Sequence, residues 1–231
     1  MKKNEFKYYL LFPLIFFIIG CGGGKANDEE STVETDNSSD FITGVDGWKI
    51  VGDAKGSTGV IPNFSEINGV GDSGYIYAKD DVTGGVWYFL APSKYHDDKS
   101  KFFNGKLEFY LIQDSRLANQ FKDEDIIIQG ASEEKIIFKH ESFPTKSWTK
   151  YQILLNSKSN WLDEVGNAAS NEKIKKILSH VTSIMIRGEF ETGADTGGLD
   201  GFKFIEGNSK TEEKNITSDF GTGVDDWTIE D

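Results

Sequence analysis

Apolar and polar residues alternate in short runs through the middle of the chain. In Lys106–Ile112, Leu107, Phe109 and Leu111 fall on one face of an extended segment, and Glu108 and Tyr110 fall on the other. A period of two with one apolar face is the pattern of an antiparallel strand resting on a core. Comparable runs, rich in aromatic and β-branched residues and bounded by turn formers, predict strands over Trp48–Val51, Tyr75–Lys79, Val86–Ala91, Asp125–Gln129, Lys135–Lys139, Lys150–Leu155, Ser183–Arg187 and Leu199–Ile205. Together they predict an all-β, two-sheet antiparallel sandwich. The period changes once. After Ser170, a side chain suited to an N-cap, Ile174, Ile177, Leu178 and Val181 recur at helical spacing, while Lys173, Lys175 and Lys176 mostly face away. One short helix is therefore expected in a connection, with no chemistry assigned to it.

The N-terminus follows a different pattern. Lys2, Lys3 and Lys7 precede an apolar run, Tyr8–Ile19, which ends at Gly20-Cys21. A basic start, a short apolar stretch and a small residue at the junction make a secretory signal peptide. The run is short for a helix spanning a bilayer, which needs ~20 residues. Ile18-Ile19-Gly20-Cys21 resembles the lipobox of bacterial lipoproteins, and Cys21 is the single cysteine of the chain. That resemblance implies cleavage before Cys21, lipid on its sulfur, and a protein anchored in the cell envelope at the outer membrane or cell surface. Residues 22–38 hold one aliphatic side chain, Val33, among Gly, Ser, Asp and Glu, and read as a flexible acidic tether.

One internal repeat is present. Ser39–Ile50 (SDFITGVDGWKI) and Ser218–Ile229 (SDFGTGVDDWTI) agree at nine of twelve positions, 179 residues apart. That spacing is about one domain. It predicts a sandwich over residues 39–206, a linker over 207–217, and the start of a second, incomplete copy at 218–231.

Across 231 residues the formal charge is −13. Such acidity repels phosphate backbones and argues against nucleic acid as a partner. Much of it lies outside the predicted sandwich: residues 21–39 carry one Lys against five acids, and residues 207–231 two Lys against seven. One cysteine excludes an intramolecular disulfide and a cysteine-rich zinc site. His96, His140 and His180 form no metal-binding spacing, and GxSxG is absent. Gly69–Gly74 matches GxGxxG, but Tyr75-Ile76-Tyr77 follows it as a strand, where a dinucleotide site requires a helix. The expected role of these glycines is a tight turn, and no enzyme activity is predicted.

In chain order, Gly44–Trp48, Gly71–Asp80, Gly84–Phe89, Trp148, Arg187-Gly188-Glu189 and Thr192–Gly201 resemble the laminin B domain (laminin IV type A) in its bacterial form. The resemblance extends over residues 40–206 and implies a jelly-roll-like sandwich similar to carbohydrate-binding modules, without catalytic machinery. It also implies a structural calcium tying the first strand to the last. Asp40 and Asp200 are the candidate ligands, with Asp46 and Asp195 near the same ends; as turn residues they need only accept from local amides.

Two residues are candidates for ligand contact. Trp161 sits in the polar stretch Asn156–Glu164 and is the expected exposed platform for a sugar ring, whereas Trp48 and Trp87 lie in apolar strand patterns and belong to the core. Arg187, one of two arginines, is either a contact for an anionic ligand or half of a buried pair with Glu189 or Asp195. The function implied is non-catalytic binding or adhesion, with a glycan as leading ligand class. The alternative is a spacer in a longer surface protein. An exposed aromatic platform favours the first reading, uniformly buried tryptophans the second.

Overall fold

The computed structural model describes residues 37–53, 59–80, 82, 84–113 and 119–207. Cys21, the tether up to residue 36, the linker beyond residue 207 and the second repeat copy lie outside the described residues, and Ser38, expected at the end of the tether, lies in the first strand. Eleven strands form within them: β1 (Ser38–Ser39), β2 (Lys49–Gly52), β3 (Asn63–Ser65), β4 (Tyr75–Lys79), β5 (Trp87–Leu90), β6 (Lys106–Gln113), β7 (Ile126–Gln129), β8 (Lys135–Phe138), β9 (Thr149–Leu154), β10 (Ser183–Arg187) and β11 (Thr196–Ile205). They build two antiparallel sheets. One runs β3-β4-β11-β6-β9, with β1 also paired to β11; the other runs β2-β5-β10-β7-β8.

The alternation seen in the sequence sets which side chains face inward. Leu107, Phe109 and Leu111 of β6 join Leu199, Phe202 and Phe204 of β11 on the inner face of the six-stranded sheet. Trp87 and Phe89 of β5 and Ile184 and Ile186 of β10 close the core from the other sheet. Each fully buried side chain of this size contributes roughly 1.5–3 kcal/mol of transfer free energy. The predicted helix is α1 (Asn171–Leu178): Ser170 Oγ accepts from Lys173 N at 3.2 Å, and Ile174, Ile177 and Leu178 are buried. Val181 is buried too, but past the helix end.

Two strands were not predicted. β1 and β3 have two and three residues, too short to express a period. β11 also begins earlier than expected, at Thr196, because Gly197-Gly198 reads as a turn in isolation. Here both glycines are in register with β4 and β6, and packing explains their identity. A Cβ on Gly197 would lie 2.1 Å from the Gly188 carbonyl oxygen. β11 is irregular between Asp200 and Lys203, where Gly201 has φ 59°, so one residue is extra and Asp200 ends one regular segment of the strand.

Candidate functional site

The outer face of the six-stranded sheet is aromatic. Tyr75 and Tyr77 project from β4 and Tyr110 and Ile112 from β6, each out of phase with a buried neighbour; Trp148 precedes β9. All five are half-buried. Gly198 of β11 stands between them, opposite Tyr77 on one side and Ile112 on the other. A Cβ there would sit 2.7 Å from Ile112 Cγ2 and 3.2 Å from two Tyr75 ring atoms, so the Tyr75 ring leans over bare backbone. Tyr75 packs edge-on against Trp148 with centroids 5.2 Å apart and lies 5.6 Å from Tyr77. The Trp148 indole is oriented by its Nε1, which donates to the Asn68 carbonyl at 2.8 Å. Two strand spacings separate β4 from β6, about 10 Å, so these rings form a surface wide enough for more than one contact with a ligand.

A polar row borders the rings. Lys203 of β11 faces Glu108 of β6, which faces Gln152 of β9. Burial pulls the Glu108 carboxyl upward, but bonds from Gln152, Lys203 and Lys150 outweigh it and hold the group at about 2. Lys203 and Lys150 approach Glu108 at 3.0 and 3.1 Å, and Lys150 Nζ also lies 5.5 Å over the Tyr110 ring. This network anchors charge and donors beside an apolar platform, the mixture that sugar hydroxyls and ring faces require.

A cavity of about 390 Å³ adjoins this face, lined by Ser39, Asp40, Ser73, Tyr110, Asp200 and Lys203 among others. Asp40 and Asp200 are thus brought together as the sequence suggested. Asp200 is buried: its Oδ2 accepts from Val70 N at 2.7 Å and Ser73 Oγ at 3.0 Å, and its Oδ1 from Gly201 N at 2.6 Å. Burial raises its pKa, and the charge of Asp40 adds to the effect. The glycine-rich run Gly69–Gly74 supplies two of these donors, Val70 N and Ser73 Oγ. It is a turn, with Gly71 at φ 68° and Asp72 at φ 64°, leading into β4. Asp40 is exposed and accepts from Ile42 N at 3.2 Å. As a calcium site the pair has the right donor type, and Asp200 Oδ1 keeps a lone pair. Two carboxylates are nevertheless few for an ion that takes six to eight oxygens, and among the described residues no three Asp, Glu, His or Cys side chains group to hold a metal.

The two ligand-contact candidates fall in the interior. Trp161 is 1% exposed; its Nε1 donates to the Leu154 carbonyl at 2.8 Å and its ring packs against Phe138. The expectation of an exposed platform is therefore corrected. The polar residues around Trp161 occupy the turns of a loop whose one large aromatic side chain is driven inward. Arg187 is 0% exposed, so an external anion does not reach it. Its expected acidic partner also changes: Nη1 donates to Asp125 Oδ1 at 3.0 Å and Nη2 to the Phe121 carbonyl at 3.0 Å, rather than to Glu189 or Asp195. The Phe121 and Phe190 rings both lie against the guanidinium, at 4.4 and 4.5 Å. Trp48 and Trp87 are core residues, as expected.

The half-exposed rings were missed as a site, although a signal existed. Tyr75 and Tyr77 alternate with Ile76 and Ala78, and Tyr110 falls out of phase with Leu107, Phe109 and Leu111. What the sequence does not state is that β11 lies between β4 and β6.

A family described as Laminin B (Domain IV) matches residues 88–218. Among solved structures, the L4b domain of human laminin alpha-2 is similar at a TM-score of 0.57 and 14% identity, over 73% of this chain and 97% of that one. A family 11 carbohydrate-binding module of the cellulosomal cellulase Lic26A-Cel5E of Clostridium thermocellum gives a TM-score of 0.46 at 17% identity, over 72% and 92%. Curated proteins yield no match.

Proposed function

Because the chain belongs to the Laminin B (Domain IV) family, we propose that it is a non-catalytic binding module that holds a glycan against the outer face of its six-stranded sheet. The coarser part of this reading, a binding or structural domain, follows from the family and the sandwich. The glycan is supported by one observation: Tyr75, Tyr77, Tyr110 and Trp148 stay half-exposed on a single face, around Gly198 and beside the Lys150–Glu108–Lys203 network. A spacer with no ligand would have no need to keep four aromatic side chains partly in water. The same proposal has the protein exported by residues 1–20 and anchored through lipid on Cys21, with the acidic tether holding the sandwich off the membrane. Calcium between Asp40 and Asp200 is proposed as a structural tie only, since their repulsion is relieved by a cation.

A glycan array on the full chain tests the binding. Trp148→Ala and Tyr110→Ala should each lower affinity about fivefold, close to 1 kcal/mol, with unchanged folding. Absence of any glycan ligand at high protein concentration would return the domain to the spacer reading. Incorporation of labelled fatty acid, lost in Cys21→Ser, tests the anchor separately.

A further inference from the structure

The outer face of the six-stranded sheet differs in charge from the chain as a whole. The chain holds 25 Lys and Arg against 38 Asp and Glu. At the outward positions of β4, β6, β9 and β11, however, the charged side chains that reach solvent are Lys79, Lys106, Lys150 and Lys203. The two acids at outward positions, Glu108 and Asp200, are buried. Three of the lysines gather at one end of the aromatic platform. Lys106 is two residues from Glu108 along β6, Lys203 is in register with Glu108, and Lys150 is in register with Tyr110.

Glu108 forms the floor of this end. Its side chain is 5% exposed, against 44% for both Lys150 and Lys203. Its Oε1 takes Lys203 and its Oε2 takes Lys150 and Gln152, so both oxygens are occupied. A ligand arriving from solvent therefore meets the two ammoniums before the carboxylate. Two cations over one anion leave one positive charge, and Lys106 adds a second. An ammonium has three protons to donate and accepts nothing. A sugar hydroxyl both donates and accepts, whereas a carboxylate or sulfate oxygen only accepts, so a row of ammoniums matches the latter. Lys150 Nζ lies 5.5 Å from the centre of the Tyr110 ring, within reach of a substituent on a sugar ring that touches Tyr110. Asp40, exposed on the wall of the neighbouring cavity, repels an anion there, which leaves the contact on the side of β6 and β9.

We propose that the ligand of this face is an acidic glycan, with Tyr110 against a sugar ring and Lys150 and Lys203 on the anionic group that the ring carries. The proposal rests on the glycan reading and narrows it. The shared chemistry is an oxygen anion on a sugar, either the carboxylate of a uronic acid or a sulfate ester. Lys106, about 7 Å along β6 from Glu108, meets the next charged unit of a polymer. With a formal charge of −13 the chain as a whole repels polyanions, so attraction to one has to come from a local patch.

The test measures the affinity of the full chain for two pairs of polymers, each pair sharing one backbone. Polygalacturonate is set against its neutral methyl ester, and dextran sulfate against dextran. The expected result is a preference of about tenfold or more for the charged member of one pair, which assigns the anion as carboxylate or sulfate. That preference should shrink as salt is added, since the lysines are half in water. Lys150→Gln and Lys203→Gln should each lower it about threefold, and the double variant about tenfold. Lys176→Gln removes the same charge from α1, which packs by β8 of the other sheet, and should leave the preference intact. Tyr110→Ala should weaken both members of the preferred pair alike. Equal or tighter binding of the neutral members, or a preference that survives in the double lysine variant, would overturn the acidic ligand and leave the glycan reading standing. Binding to none of the four polymers, with a blank glycan array, would overturn both.

Discussion

Arg187 and Asp125 form an ion pair inside the sandwich, Nη1 to Oδ1 at 3.0 Å, with 0 and 2% of their side chains in contact with solvent. Asp125 is shared: its Oδ2 also accepts from His140 N and lies 3.3 Å from His140 Nδ1. Burial works against its charged form, but the bonds from His140 and Arg187 outweigh burial and lower its pKa. Removing one partner leaves an unpaired charge in an apolar site. Arg187→Leu should destabilise the domain by about 3–5 kcal/mol, and Arg187→Met with Asp125→Leu should recover most of that loss. Urea unfolding of the three proteins measures it; equal losses in single and double variants would mean that packing, not charge, dominates.

Gly188 explains why a glycine follows that arginine. A Cβ at this position would lie 1.9 Å from Trp87 Cζ3 and 2.1 Å from Cη2, because the indole rests on the Gly188 backbone. Gly188→Ala should cost about 3 kcal/mol or more, since neither a backbone nor a fully buried indole yields easily. Trp87→Leu in the same chain should couple to it, so that the double variant loses less than the two singles added. Additive losses in thermal unfolding would refute the contact.

Trp161 and Trp148 should behave oppositely. Trp161→Ala removes a buried indole and should destabilise the fold by about 3–5 kcal/mol, without altering the outer face. Trp148→Ala removes a half-exposed ring and should act on binding first. Melting temperature and glycan affinity, measured on both variants, separate these roles.

Acidic pH should favour this fold over mildly alkaline pH. In the unfolded chain both carboxyls lose their protons near pH 4, whereas in the folded chain Glu189 and Asp195 hold theirs to about 8 and about 7. Between those limits the folded state binds more protons, so stability falls as pH rises. Glu108, held at about 2, acts only below this window and has the opposite sign. Urea midpoints at about pH 5 and about pH 9 bracket the change, and Glu189→Gln should flatten it. A midpoint that rises with pH over this range would contradict the assignment.

Legibility in the sequence tracked the range of the cause. Tyr75–Lys79 and Ser183–Arg187 are strands at the predicted bounds, since a period of two over five residues records which face is buried. β1 and β3 left no such record, being two and three residues long and paired to β11 and β4. Asp40 and Asp200 met at one cavity because they lie near the ends of the sandwich, where first and last strands adjoin. Trp161 was placed wrongly because the polarity of flanking residues does not report where a single side chain points. Arg187 fell to its buried-pair reading, with Asp125 as the acid, a partner 62 residues away that no local pattern names.

By itself, the sequence determined the class of fold, most of the strands and the α-helix at Asn171–Leu178 found among the described residues, because these depend on patterns of neighbours a few residues apart. The tertiary structure alone decided that β11 lies between β4 and β6. That order sets Gly198 among Tyr75, Tyr77 and Ile112, and carries Asp195 to Asp80. Strand order brings together residues more than a hundred positions apart, and pairing of that kind is governed by the packing of the whole core rather than by any local period.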